Sequence, residues 1–514
     1  MTAPDNTLGG WFAARAARSG HRRALTFEGA TLTYQELLRR VDQLAAALRQ
    51  GGVRRGDRVA FLGFNHPALL ETMLAAARLG AVFLPLNFRL AGPELRFIVA
   101  DADVHTLVVG QAQQEVVDGL RAELGVRRYL GVEGAGPGWE SLQDVVADSD
   151  PLAAPEPAQP DDVALLMYTS GTTGAPKGVQ LSHANLWWNY TSLMLLYDVL
   201  QSDVTLAVAP LFHIAGLNVT IPTTWLKGGE VVLHRSFDAV KTLEAIQRHG
   251  ISTLFAVPAM LNEISQLAAF DEADLGTLRA VICGGAPVPE PLLARYADRG
   301  VGVLQGYGLT ESAPAAIFLV AEHALSKMGS AGLPPMFVEA KLVDSDGNAV
   351  IGSRTRGEIC LRGPNLTSGY WNRPDATAAA FDADGWFHTG DVGERDDDGF
   401  YYVVDRLKDM VITGGENVFP AEVENVLYRH PAVAEVAVLG LPDPRWGEAV
   451  VAAVALRPGS GLTLEELRDF TAVSLARYKM PQRLEIVDAL PRNTAGKVLK
   501  GDLRRLLQDR ADAG

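Results

Sequence analysis

The stretch YTSGTTGAPKGVQLSH, residues 168–183, sets Gly171, Gly174 and Gly178, the hydroxyls of Thr169, Ser170, Thr172 and Thr173, and Lys177 between two apolar runs. Glycines leave backbone N–H groups uncovered and admit positive φ, so such a loop can wrap a polyanion. The hydroxyls add donors and Lys177 a positive charge. The loop departs from GxxxxGK[ST] and lies between VALLMY and GVQL, two strand-like runs, so no helix dipole is expected behind it. A ligand-free Gly/Thr hairpin is the plain alternative.

Four further stretches carry chemistry: QGYGLTES (305–312), GWFHTGD (385–391), DRLKDMVITGGENVFPAEVE (405–424) and PRNTAGKVLK (491–500). With the loop, they resemble in order and separation the motifs of the adenylate-forming superfamily. That superfamily includes acyl-CoA synthetases, adenylation domains of peptide synthetases and firefly luciferase, and the resemblance spans nearly the whole chain.

The resemblance implies an acid activated by ATP and passed to a thiol. A carboxylate attacking a phosphate is anion meeting anion, so the site must supply cations and donors. Lys497 matches the lysine that bridges acid and α-phosphate. Glu311 and Thr169 match the groups that hold Mg²⁺, a hard ion suited to oxygen ligands. The loop residues Ser170, Gly171, Thr172, Thr173, Gly174 and Lys177 match the phosphate cradle.

Asp391 matches the aspartate that accepts both ribose hydroxyls, a task for an acceptor-only carboxylate, and Arg406 and Asn417 match nucleotide contacts. Gly284, Gly285, Ala286, Gln305, Gly306, Tyr307, Gly308 and Thr310 look like the adenine slot and its surroundings, with Tyr307 offering an aromatic face. Lys408 aligns with the family hinge, and Gly414 and Gly415 with the wall of a thiol tunnel.

Peptide-synthetase domains carry an aspartate after Phe in the stretch corresponding to APLFHIAGLN (209–218); here Phe212 is followed by His213, which disfavours an α-amino acid. His213 matches a gate at the carboxylate end of the acid, and a hydrogen-bonded core histidine is the alternative. Phe212, Ile214, Ala215, Gly216 and Leu217 are apolar or small and suggest an apolar or aromatic monocarboxylic acid, either a medium- or long-chain fatty acid or a hydroxycinnamate such as ferulate. Coenzyme A is the expected acceptor, since its thiol attacks an acyl-adenylate with little help. Transfer to a carrier protein or an amine, or another use of the adenylate, is the alternative. Arg235 is a candidate contact for a CoA phosphate.

These motifs need a large scaffold. At 514 residues the chain exceeds what a single core usually serves. Its 48% apolar and 21% charged residues are those of a globular protein, and a net charge of -15 argues against nucleic acid. Cys283 and Cys360, the two cysteines, read as core residues in a reducing compartment. No apolar leader and no run of about 18 apolar residues occurs, so no membrane span is expected and the cytoplasm is the default. The partners are small molecules, and the family implies a monomer or homodimer.

A capping box at Thr33 and Glu36 predicts a helix ending at Gly51. Runs near 58–62, 67–79 and 81–85 alternate strand, helix and strand, and the rhythm recurs at 251–267 and 278–300, predicting largely parallel sheets. PLAAPEPAQP (151–160) reads as an extended surface connector. After Tyr401 a compact α+β unit follows. The fold class is a large α/β domain, 1–404, of parallel sheets flanked by helices, with a small β-barrel implied by the resemblance. A small α+β domain, 405–514, follows and, again by resemblance, rotates about Lys408.

Overall fold

The computed structural model describes residues 5–169, 176–286, 288–406, 409–413, 416–492 and 498–512. Two eight-stranded sheets dominate, both parallel in their centres and antiparallel at an edge. One orders the strands Gly369–Tyr370, Lys177–Ser182, Val163–Thr169, Val82–Leu86, Arg58–Leu62, Val104–Gly110, Arg128–Val132 and Glu140–Ser141. The other runs Ile317–Phe318, Val303–Tyr307, Ala280–Gly284, Thr253–Ala256, Val204–Ala207, Glu230–Leu233, Arg23–Phe27 and Ala30–Thr33. Their central strands are near-continuous Val, Ile, Leu and Phe because helices cover both faces, as parallel sheets require.

A layer of helices is shared by the two sheets. Tyr34–Gln50 packs on Arg23–Phe27 of one, while Pro67–Arg78 packs on Arg58–Leu62 and Val82–Leu86 of the other, and the two helices pack together. The predicted capping box is formed: Thr33 N–H donates to Glu36 Oε2 at 2.8 Å and Glu36 N–H to Thr33 Oγ1 at 3.3 Å. The layer holds Trp225, Tyr34 and Tyr190, all fully buried with their polar tips bonded: Trp225 Nε1 to Ala24 O at 2.8 Å, Tyr34 OH to Gly229 O at 2.6 Å and Tyr190 OH to Asn218 Oδ1 at 3.2 Å. Burying aromatics costs little once those tips are satisfied.

A third, antiparallel sheet (Glu339–Val343, Arg356–Arg362, Phe387–Arg395, Tyr401–Arg406) takes the place of the expected barrel and is tied to the second by bridges Phe318–Leu333 and Gly332–Tyr401. The fourth sheet (Glu416–Val418, Val411–Thr413, Gly447–Leu456, Val433–Asp443, with Arg483–Ile486 added parallel) and the helices Pro420–Leu427, Leu464–Ala472 and Lys500–Asp512 form the α+β unit. Arg356 reaches across to Glu422 at 3.1 Å and lies over the Phe419 ring, and Arg429 meets Glu290 at 3.1 Å.

The 151–160 segment is irregular and mostly exposed as expected, yet it is docked. Leu152 is buried with its N–H on Asp42 O, and Glu156 N–H bonds Arg78 O. Cys283 and Cys360 are free and buried. Among the described residues no helix is long and apolar enough to cross a membrane.

Candidate active site

Three of the expected site residues end parallel strands, the place where open α/β sheets bind ligands. Thr169 ends Val163–Thr169, Gly284 ends Ala280–Gly284 and Tyr307 ends Val303–Tyr307.

Gly284 and Gly306 stand opposite each other in register. A Cβ on Gly284 would lie 2.7 Å from Gly306 O, and one on Gly306 would lie 2.5 Å from the Phe318 ring, so the two strand ends tolerate glycine alone. Gly285 follows with φ +88°, a conformation open to glycine, and Ala286 continues the turn. Gln305 is buried, and its Nε2 finds no hydrogen-bond partner among the described residues. An orphaned buried donor on the strand that carries Gly306 and Tyr307 suits a nucleotide base, and it is the observation on which ATP fits here.

Tyr307, expected to offer its face to a base, also uses its edge: its hydroxyl donates to Asp391 Oδ2 at 2.7 Å. The residues expected to hold base and ribose are thereby joined by a hydrogen bond. Asp391 is buried and sits opposite Arg406 in the antiparallel ladder. Its approach is set by Glu358, whose carboxylate accepts Gly390 N–H at 2.8 Å and pairs with His388 Nδ1 at 2.8 Å, while Thr389 Oγ1 donates to Ile359 O at 2.7 Å. Cys360 Sγ lies 3.5 Å from the same His388 nitrogen, and burial pushes its thiol up to about 12.

Glu311 sits on the single 3₁₀ turn Thr310–Ser312. That turn is nailed down by Asn365, fully buried, whose Nδ2 donates to Ser312 O at 2.7 Å and Ala315 O at 2.6 Å. Asn189 Oδ1 accepts Ala315 N–H at 3.0 Å, and a Cβ on Gly308 would run into Pro314 O. Tyr370 OH donates to Glu311 Oε1 at 2.8 Å. Glu311 and Thr169 provide a carboxylate and a hydroxyl, a donor set that fits Mg²⁺.

Thr169 and Lys177 face each other as the last pair of an antiparallel hairpin, so the glycine-rich loop joins two strands as the sequence predicts. Ser170, Gly171, Thr172, Thr173 and Gly174 lie outside the described residues. The hairpin is anchored at its base, where Tyr168 OH donates to Asp101 Oδ2 at 2.6 Å and the Lys177 ammonium lies 5.2 Å from the Tyr370 ring centroid.

Phe212 is buried and His213 half-buried at the start of the five-residue helix Ile214–Asn218. Their rings are 4.4 Å apart, and Phe88 meets Phe212 edge-on at 5.3 Å. Burial, reinforced by Arg89, holds His213 down at about 4, so it is neutral at pH 7. Ile214 and Leu217, three apart on one helix face, pack into the central helical core; Ala215 packs against a separate cluster with Leu193, Val219, Phe255, Ile282, Leu304 and Phe318. Of the expected acyl-contact set, then, those two are core residues. Gly216 is required because a Cβ there would lie 2.5 Å from Pro210 O.

Lys497, Lys408, Gly414 and Gly415 lie outside the described residues, and Arg406 and Asn417 are described by their strands alone. Arg235 is corrected: its guanidinium is bidentate on Glu133 at 2.7 and 2.8 Å and reaches Glu28 at 3.0 Å, so two carboxylates already neutralise it and it does not suit a phosphate. Sequence reasoning missed Tyr370, Asn365 and Glu358; the one local signal was the GYW at 369–371, whose glycine takes φ +137° in the fold.

A family model described as AMP-binding enzyme matches residues 12–371, and one described as AMP-binding enzyme C-terminal domain matches 422–497. The chain is 46% identical to a feruloyl-CoA synthase of Amycolatopsis sp, over 97% of this chain and 98% of that protein. It is 39% identical to a long-chain-fatty-acid–CoA ligase of Mycobacterium tuberculosis, over 96% and 97%. The structure of o-succinylbenzoate coenzyme A synthetase from Bacillus subtilis in complex with ATP and magnesium ion superposes with a TM-score of 0.86 at 34% identity, covering 96% of this chain and 98% of that one. With glycine-lined strand ends, a tyrosine-bonded aspartate and a glutamate on a pinned turn in the positions its motifs predict, the chain belongs to the AMP-binding enzyme family, in its acyl-CoA synthetase branch.

Proposed function

We infer that this AMP-forming acid–thiol ligase, which works with ATP, Mg²⁺ and CoA on an apolar or aromatic acid, takes an aryl acid of the hydroxycinnamate type. The observation that carries the reading is the apolar cluster behind Ala215 and Gly306. Its buried members include Leu193, Val219, Ile282 and Leu304 and three aromatic rings, Tyr197, Phe255 and Phe318. An uncharged ring is stabilised there, whereas a second carboxylate or an ammonium would be left unpaired. The greater identity to a feruloyl-CoA synthase than to a fatty-acid ligase supports the aryl choice.

In this reading His213, neutral and tilted against the Phe212 ring, packs against the carboxylate end of the acid. Asp391 and Tyr307 hold the ribose and base, with Arg406 adding a contact from the adjoining strand and Asn417 one from the small domain. Glu311 and Thr169 would hold Mg²⁺, which when bound neutralises phosphate charge, and the 170–177 loop cradles the β- and γ-phosphates released as pyrophosphate. Lys497 bridges acid and α-phosphate. The domains divide at 404/405, with Lys408 as the hinge that exchanges Lys497 for the Gly414–Gly415 tunnel, through which the CoA thiol reaches the acyl-adenylate. A reaction fed by ATP and CoA, in a chain whose cysteines are free, suits the cytoplasm.

The test is mass-spectrometric detection of new acyl-CoA when the protein meets ATP, Mg²⁺, CoA and a panel from benzoate and ferulate to octanoate and palmitate. Feruloyl-CoA as the dominant product supports the aryl reading; palmitoyl-CoA overturns it in favour of a fatty acid. AMP and pyrophosphate without any thioester reassign the acceptor.

A further inference from the structure

One side chain touches both the phosphate hairpin and the turn that carries Glu311. The Tyr370 hydroxyl donates to Glu311 Oε1 at 2.8 Å, and the Tyr370 ring lies 5.2 Å from the Lys177 ammonium. A cation over a ring face is attracted by its quadrupole, so the same residue fixes a carboxylate with its edge and an ammonium with its face. Tyr370 is held from several sides. It pairs with Val179 in the sheet, its N–H bonds Thr377 Oγ1 at 2.9 Å, and the next residue, Trp371, donates its N–H to Gly178 O at 2.7 Å and its indole N–H to Asp101 O at 3.1 Å. Asp101 in turn receives the Tyr168 hydroxyl from the other strand of the hairpin.

We propose that Tyr370 is a positioning residue that couples metal binding to the phosphate loop: it orients the Glu311 carboxylate towards Mg²⁺ and sets Lys177 at the mouth of the loop, so that the cation site and the phosphate cradle are aligned together. The inference rests on the assignment of Glu311 to the metal in the proposed function. Groups that orient a metal-ligating carboxylate change metal affinity by roughly ten- to a hundredfold when removed.

The experiment is titration of the full-length protein with Mn²⁺ in the presence of ATP, followed by electron paramagnetic resonance, beside calorimetric titration of ATP in EDTA. Tyr370→Phe keeps the ring under Lys177 and removes the hydroxyl. It is expected to weaken Mn²⁺ binding about tenfold or more while metal-free ATP affinity and the melting temperature stay near those of the unaltered protein. Tyr370→Leu, which also removes the ring, is expected to weaken metal-free ATP binding as well. Glu311→Gln is the control. If it loses Mn²⁺ affinity and Tyr370→Phe does not, the coupling is overturned and the assignment of Glu311 stands. If Glu311→Gln retains Mn²⁺ affinity, that assignment fails and the coupling with it. If Tyr370→Phe lowers the melting temperature and both affinities in parallel, its role is packing and the proposal is overturned.

Discussion

The Tyr307 hydroxyl donates a 2.7 Å hydrogen bond to Asp391 Oδ2, joining the end of a buried parallel strand to the antiparallel sheet 84 residues further along the chain. A hydrogen bond to an ionised group contributes about 1.5–3 kcal/mol. Tyr307→Phe is therefore expected to raise the Kd for AMP by roughly tenfold, and Asp391→Ala to raise it further because the proposed ribose acceptor is also lost. Calorimetric titration with AMP checks both; an unchanged Kd for Tyr307→Phe would sink the idea that the two residues act as one unit.

His183 makes stability depend on pH. It is 2% exposed, its Nδ1 accepts Leu8 N–H at 3.1 Å, and burial holds it down at about 4. Between its ordinary value near 6.5 and about 4 the unfolded chain binds the extra proton, so stability rises with pH across that window. It is complete above about 6.5 and lost as pH falls through 4, for about 3 kcal/mol in all. Urea unfolding at several pH values should show that slope, and His183→Gln, which can still accept from Leu8, should flatten it. A slope unaffected by the substitution would reassign it to other groups.

His213 is expected to stay neutral through the neutral range for the same reason. His213→Asn should raise KM for the acid while leaving the shape of the pH profile between 6 and 7 unchanged. Disappearance of an inflection near 6.5 on substitution would show that His213 titrates there after all.

Asn365 is a stability prediction with a functional echo. Asn365→Ala would orphan the buried carbonyls of Ser312 and Ala315, at a cost of about 2–4 kcal/mol. The turn carrying Glu311 loosens with it, so chemical denaturation and Mg²⁺-dependent adenylation should fall together. Wild-type stability would mean that the turn is held by Asn189 and the backbone alone.

Gly306 tests the tightness of the strand ends. Gly306→Ala places a Cβ 2.5 Å from the Phe318 ring and should reduce kcat/KM for the acid at least tenfold. Phe318→Leu in the same chain removes the obstruction and is expected to restore part of it. Failure of that rescue would put the constraint on the nucleotide side of the strand.

Several features of this protein were legible in the linear sequence because their signals are local. The capping box at Thr33 and Glu36, the strand–loop–strand hairpin at 163–182 and the strand–helix rhythm each lie within a few turns of chain, and the structure forms all three. The resemblance of the motifs likewise grouped Gly284, Gly306, Tyr307, Glu311 and Asp391 as one expected nucleotide and metal site. Tertiary structure alone decided what those residues do to one another. Sheet register brings Tyr370 to Glu311 across 59 residues, and cross-strand pairing lets Glu358 hold the turn before Asp391. Helical phase turns Ile214 and Leu217 into one apolar cluster while Ala215 faces another, and two carboxylates brought from 102 and 207 residues away neutralise Arg235. A residue's type and neighbours in sequence set which chemistry it can do; its hydrogen-bond partners and burial, which set whether it does it, come from strands and helices that meet only when the whole chain has packed.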